Sequence, residues 1–192
     1  MARSSDPVAQ QEAISEAVWR VLSADGLQGL TLRAVAREAG CTTGLVLHRF
    51  PDKKALLVHA RLMLHERTDS RMLQEIAAHP DPRAALDAVL VGALLGREFD
   101  SRIWLGFLAA TISAPELTAV QNEAHQRFSD TVSALVARCR PDWDDARIRD
   151  VAVSMMSMIS GMAALGAVDP AVYTPEAQES SLRATTDALM RG

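Results

Sequence analysis

The chain has 192 residues, 48% of them hydrophobic and only 4% aromatic, with a net charge of −4 at neutral pH. Mean hydropathy is close to zero, which suits an Ala/Leu/Val-rich helical protein with enough apolar surface for a core, in one domain or two small ones. The acidic total argues against a non-specific polyanion binder, and Cys41 and Cys139 make neither a metal-ligand spacing nor a disulfide framework.

In chain order, no positively charged and then apolar segment opens the sequence, so no signal peptide is expected and the cytoplasm is the default location. No run alternates apolar and polar residues as a strand would. Helical periodicity predicts an all-α protein of about nine helices, at 7–24, 31–38, 42–48, 52–78, 82–95, 101–113, 115–139, 144–166 and 175–190. Gly and Pro punctuate the breaks at 25–30, 79–82, 113–116, 140–145 and 169–176. Short helices give way to long ones near Pro51, which divides the chain into residues 1–51 and 52–192. Residues 151–168 form an uncharged run of eighteen, but it holds three serines and no aromatic anchor. A buried helix is expected there rather than a membrane span.

Charge is unevenly spread. Residues 31–54 hold five cations against two acids, whereas residues 61–192 hold thirteen cations and eighteen acids. One basic face on an acidic body is a workable design for binding nucleic acid by one end. Thr31 reads as the N-cap of a short helix with Leu32, Val35 and Ala36 on one stripe. Gly40 falls where a left-handed residue ends that helix, and Cys41 tucks under the turn. Thr42 caps a second short helix that Val46 and Phe50 anchor to the core, leaving Thr43, Leu45, Leu47 and His48 outward. Asp52 caps the next helix, and Lys53 and Lys54 follow at its start. Lysine is disfavoured at the positive end of a helix dipole, so an anion is wanted there. A DNA phosphate supplies it if the second short helix enters a major groove. An ordinary helical hairpin with solvated lysines would show the same turn.

The longer stretch, with Gly26, Thr31, Ala36, Ala39, Gly40, Cys41, Thr42, Gly44, His48, Phe50 and Lys53 in register, resembles the DNA-binding region of the TetR family of transcriptional regulators. The segments GCTTGLVLHRF and FDSRIWLGFLAATISAPELTAVQ resemble its BetI-like subgroup. The resemblance implies an N-terminal three-helix helix-turn-helix domain (1–51), followed by a helical bundle for ligand binding and dimerisation (52–192). It also implies dimerisation through the last two helices. Leu47 departs from the family pattern, where a phosphate-touching Tyr is usual. It leaves an apolar side chain suited to a thymine methyl.

For DNA, Thr31, Thr42, His48 and Lys53 are expected on phosphates, and Arg33, Thr43, Leu45 and Leu47 at base edges. For the dimer, Ser154, Ser157, Gly161 and Ala164 form a small-residue face on a helix that is apolar all round. Ala177, Leu182, Thr185 and Leu189 on the last helix would complete a seam with a second copy. For a small-molecule effector, Trp104, Phe107 and Thr111 share one helix face, and Gln121, His125 and Phe128 share another. Met63 and Met158 are adaptable enough to join them. The polar groups among these residues need partners if buried, which a ligand or water could supply. The absence of charge on the two faces favours an apolar or mildly polar effector.

No His-Glu-x-x-His, nucleophile elbow, phosphate loop or dinucleotide fingerprint occurs, so no enzyme and no cofactor or metal are expected. The expected function is that of a sequence-specific regulator, a repressor released from a palindromic operator by a small molecule. The competing reading is a helical binding or scaffold protein with no operator.

Overall fold

The computed structural model describes residues 7–96, 101–112 and 114–191. Among these, nine helices and no strand occur: α1 (Pro7–Gly29), α2 (Leu32–Glu38), α3 (Thr43–Arg49), α4 (Lys53–Ala78), α5 (Pro82–Leu95), α6 (Ser101–Thr111), α7 (Pro115–Cys139), α8 (Asp145–Val168) and α9 (Pro175–Arg191). The predicted ends agree closely with these bounds except at α1. There the predicted break at 25–30 is a kink within one helix, centred on Gly26 with φ 64° and ψ −166°. Glycine alone adopts that backbone without strain, so the chain bends and resumes its helical turns. Of the predicted break at 113–116, Ser113 lies outside the described residues.

The chain divides into two compact units, one of residues 1–64 and 106–121 and the other of 65–105 and 122–192. In the first, Val18 and Leu22 of α1, Val35 of α2, Val46 of α3 and Leu56 of α4 are fully buried. Each lies on the apolar stripe of its helix, so four helices, two of them only seven residues long, make a core that no single one could. The end of α6 and the start of α7 belong to this unit. Gly106 comes so near Leu27 that a Cβ there would lie 3.5 Å from its Cδ1.

In the second unit, α5, α8 and α9 pack around Leu86, Leu90, Ala152, Met155 and Leu182. Helix α8 is long and apolar enough to cross a membrane by length and composition. Ile148, Val151, Ala152, Met155, Ile159 and Ala163 form its core stripe, while Ser154, Ser157, Gly161 and Leu165 are exposed. On α9 the buried stripe is Gln178, Leu182, Thr186 and Met190. Leu182, expected at a partner-facing seam, is therefore inside its own core, and Ala177 and Thr185 are exposed. The seam expected from sequence mixed two faces of α9. The true inward stripe repeats every fourth residue, and two of its members are polar.

Candidate nucleic-acid interface

The residues between α1 and α4 build a helix-turn-helix from local rules. Thr31 caps α2, its Oγ1 accepting from the Ala34 N–H at 3.1 Å. The helix ends in a Schellman turn: Cys41 N–H donates to Ala36 O at 3.0 Å and Gly40 N–H to Arg37 O at 3.3 Å, with Gly40 at φ 63°. Thr42 then caps α3, accepting from Leu45 N–H at 3.3 Å. Val46 and Phe50 are buried and hold α3 down. Partial burial pushes the Cys41 thiol above its ordinary range, which disfavours a thiolate at the turn.

Asp52 caps α4 through Oδ1, which accepts from Ala55 N–H at 2.8 Å. Phe50 stacks at 4.9 Å on the ring of His59, whose Nε2 lies 3.1 Å from Ser15 Oγ. This link ties α4 to α1. Sequence reading missed it, because His59 and Ser15 are 44 positions apart and belong to no motif.

A helix turns by about 100° per residue, so positions 47, 44, 48 and 45 follow one another around the side of α3 away from Val46, and Thr43 lies at the edge of that arc, nearer Val46. Gly44, Leu47 and His48 are exposed, and Thr43 and Leu45 are half-buried. Arg33, Arg37, Arg49, Lys53 and Lys54 are all exposed. One acid of the segment, Glu38, is paired with Arg20 of α1 at 2.6 Å, which leaves the basic excess larger than the sequence count. The Thr31 and Thr42 hydroxyls accept from backbone, so their protons remain available to an outside acceptor such as a phosphate.

The residues expected to meet an effector divide between the units. Met63, Phe107, Thr111 and Gln121 are in the first, and Trp104, His125, Phe128 and Met158 in the second. In the first unit, Phe107 is buried, and Gln121 is buried with its Oε1 accepting from Arg61 Nε at 2.7 Å. Thr111 Oγ1 donates to Leu108 O at 2.7 Å within its own helix. Two of the polar groups thought to need a ligand are thus satisfied by the protein. Arg61, also buried, adds a cation next to the uncharged face that carries Gln121. In the second unit, Trp104, Phe128 and Met158 pack partly buried against the core cluster.

A short helix pair of this geometry, with an outward arc and a basic rim, defines a DNA-binding protein of the helix-turn-helix class. The family model for bacterial regulatory proteins of the tetR family matches residues 14–60. The model for the C-terminal region of BetI-type transcriptional repressors matches residues 82–191. The chain therefore belongs to the TetR family, with a BetI-type C-terminal region, and is a DNA-binding transcriptional regulator. Among its relatives, the HTH-type transcriptional regulator BetI of Burkholderia thailandensis is 30% identical over 157 residues, 80% of this chain and 79% of that protein. BetI of Yersinia pestis is 28% identical over 161 residues, 81% of this chain and 79% of the relative. A transcriptional regulator from Rhodococcus shares the fold with a TM-score of 0.81 at 23% identity, covering 94% of this chain and 96% of that one. So does a Saccharomonospora viridis protein described as a transcriptional regulator, in complex with choline, with a TM-score of 0.83 at 18% identity and coverage of 95% and 97%.

Proposed function

We propose that this protein is a homodimeric repressor that binds a palindromic operator in the cytoplasm, is released by a small molecule, and carries out no catalysis. The observation that carries the DNA half is the α2–turn–α3 geometry, with Val46 buried and positions 44, 45, 47 and 48 turned away from it. Residues 1–51 hold that element and residues 52–192 serve sensing and pairing. Thr31, Thr42, His48 and Lys53 position the protein on phosphates, while Arg33, Thr43, Leu45 and Leu47 face base edges.

Pairing is assigned to the exposed face of α8, where Ser154, Ser157 and Gly161 lie among Val153, Leu165 and Val168. Ala164 and Leu189 are half-buried, each on its own helix. A contiguous apolar face with small residues suits a second copy by twofold symmetry. Leu182, buried in its own core, is not part of this surface.

Effector release is proposed from the family and from the choline complex of the Saccharomonospora viridis protein. Phe107, Gln121, Met63 and Thr111 in one unit, and Trp104, His125, Phe128 and Met158 in the other, remain the residues to test. A ligand that favours one of two packings would change the separation of the two recognition helices and defeat docking on both half-sites.

The deciding experiment is binding of the purified protein to duplexes from the region upstream of its own gene, at graded salt. Lys53→Ala is expected to weaken all duplexes alike and to reduce the salt slope by about 0.9 per half-site. Unchanged affinity and slope would remove Lys53 from the phosphate contacts.

A further inference from the structure

We propose that the outward arc of α3 reads thymine methyl groups, with Leu47 as the knob that meets the methyl and Gly44 as the notch beside it. The inference rests on the assignment of α3 as the helix that enters the major groove. Leu47, Gly44, His48 and Leu45 make up the arc, with Thr43 at its edge, and none is Arg, Lys, Asn or Gln. Those four side chains make the bidentate pairs that select guanine or adenine, so the arc lacks that means of reading a base. What it offers is apolar. Leu47 is 43% exposed, although Val46 and Phe50 already supply the anchoring of the helix.

Gly44 gives an independent pointer. It is the second residue of α3, and its backbone is not in the left-handed region that would call for glycine. A Cβ at this position would meet only Thr42 Oγ1, at 3.9 Å. Nothing within the chain requires the side chain to be missing, and the space is open to a group approaching from outside. On the major-groove edge, thymine alone carries a methyl group. A methyl seated against Leu47 over the Gly44 notch uses both features at once, with Thr43 and His48 left to hydrogen-bond at either side.

The test uses the full-length protein and duplexes selected by it from a randomised library. Each thymine of the best duplex is replaced in turn by uracil, which removes only the methyl. At one symmetric position the wild type is expected to lose about fourfold in affinity per half-site, the value of one buried methyl group. Leu47→Ala is expected to bind the thymine and uracil duplexes equally. Gly44→Ala is expected to melt at or above the wild-type temperature yet bind the duplex more weakly. Insensitivity of the wild type to uracil at every position would overturn the proposal, as would full uracil sensitivity in Leu47→Ala. Undiminished binding by Gly44→Ala would overturn the notch. Failure to enrich any duplex would instead overturn the assignment of α3 on which the proposal rests.

Discussion

Gln121, on α7, accepts a hydrogen bond at 2.7 Å from the guanidinium of Arg61, on α4, and both side chains are buried. A buried charge is tolerated only when its donors are matched, and a hydrogen bond to a charged group contributes more than a neutral one. The bond therefore fixes the start of α7 against the helix that opens with Lys53. A side chain read from sequence as ligand-facing is, in this structure, a partner for an internal cation.

Gln121→Leu keeps the bulk and removes the acceptor. It is expected to destabilise the fold by about 1.5–3 kcal/mol, read as a lower midpoint in urea with an unchanged slope. Gln121→Glu, which retains an acceptor, is expected to lose less. Equal stability of the leucine variant and the wild type would show that Arg61 does not depend on this bond.

Gly26 and Gly40 both have positive φ, and in neither case would a Cβ meet anything within 4 Å. Any cost of alanine there is a backbone cost alone. Gly40→Ala is expected to cost about 1–2 kcal/mol. Gly26→Ala, at a ψ of −166° open essentially to glycine only, is expected to cost about 1–3 kcal/mol. Urea unfolding of the two variants and of Gly40→Asn checks this, since asparagine tolerates the left-handed conformation of Gly40 and should recover part of the loss.

Gly161 is exposed on α8, and a Cβ built on it meets nothing within 4 Å. Gly161→Trp should therefore be harmless to the isolated protomer and disruptive only where a second copy approaches. The expected outcome is a monomer with wild-type helical content in sedimentation velocity, and loss of tight binding to a two-half-site duplex. A wild-type chain that sediments as a monomer at micromolar concentration would end the dimer reading.

Arg140 holds Asp142 through two bonds, at 3.0 and 2.9 Å, stacks at 4.2 Å on Trp143 and donates to the backbone oxygen of Met190. The Arg140 hydrogen bond holds the Asp142 carboxyl below the usual carboxylate range. With a folded pKa below the unfolded one, the contribution is present above the unfolded value and is lost as pH falls through the folded value. The difference in unfolding midpoint between wild type and Asp142→Asn is expected to be steady near neutrality and to shrink below the ordinary carboxylate pKa. A difference that stays constant down to pH 2 would mean the charge of Asp142 contributes nothing.

Caps, turns and stripes were legible in the sequence because they depend on neighbours within a few positions. Thr31, Gly40, Thr42 and Asp52 act as their residue types and spacing require, and so the helix-turn-helix and the order of the helices could be read directly. The inward face of α9 was not legible. Its buried stripe includes Gln178 and Thr186, and only the packing of α5 and α8 decides that polar residues face in while Ala177 and Thr185 face out. The same holds for Arg61 with Gln121 and for Ser15 with His59, pairs 60 and 44 positions apart. Local periodicity determines which residues can share a face. Burial, and the partner each buried polar group finds, depends on chain segments distant in sequence, and that was decided by the tertiary structure alone.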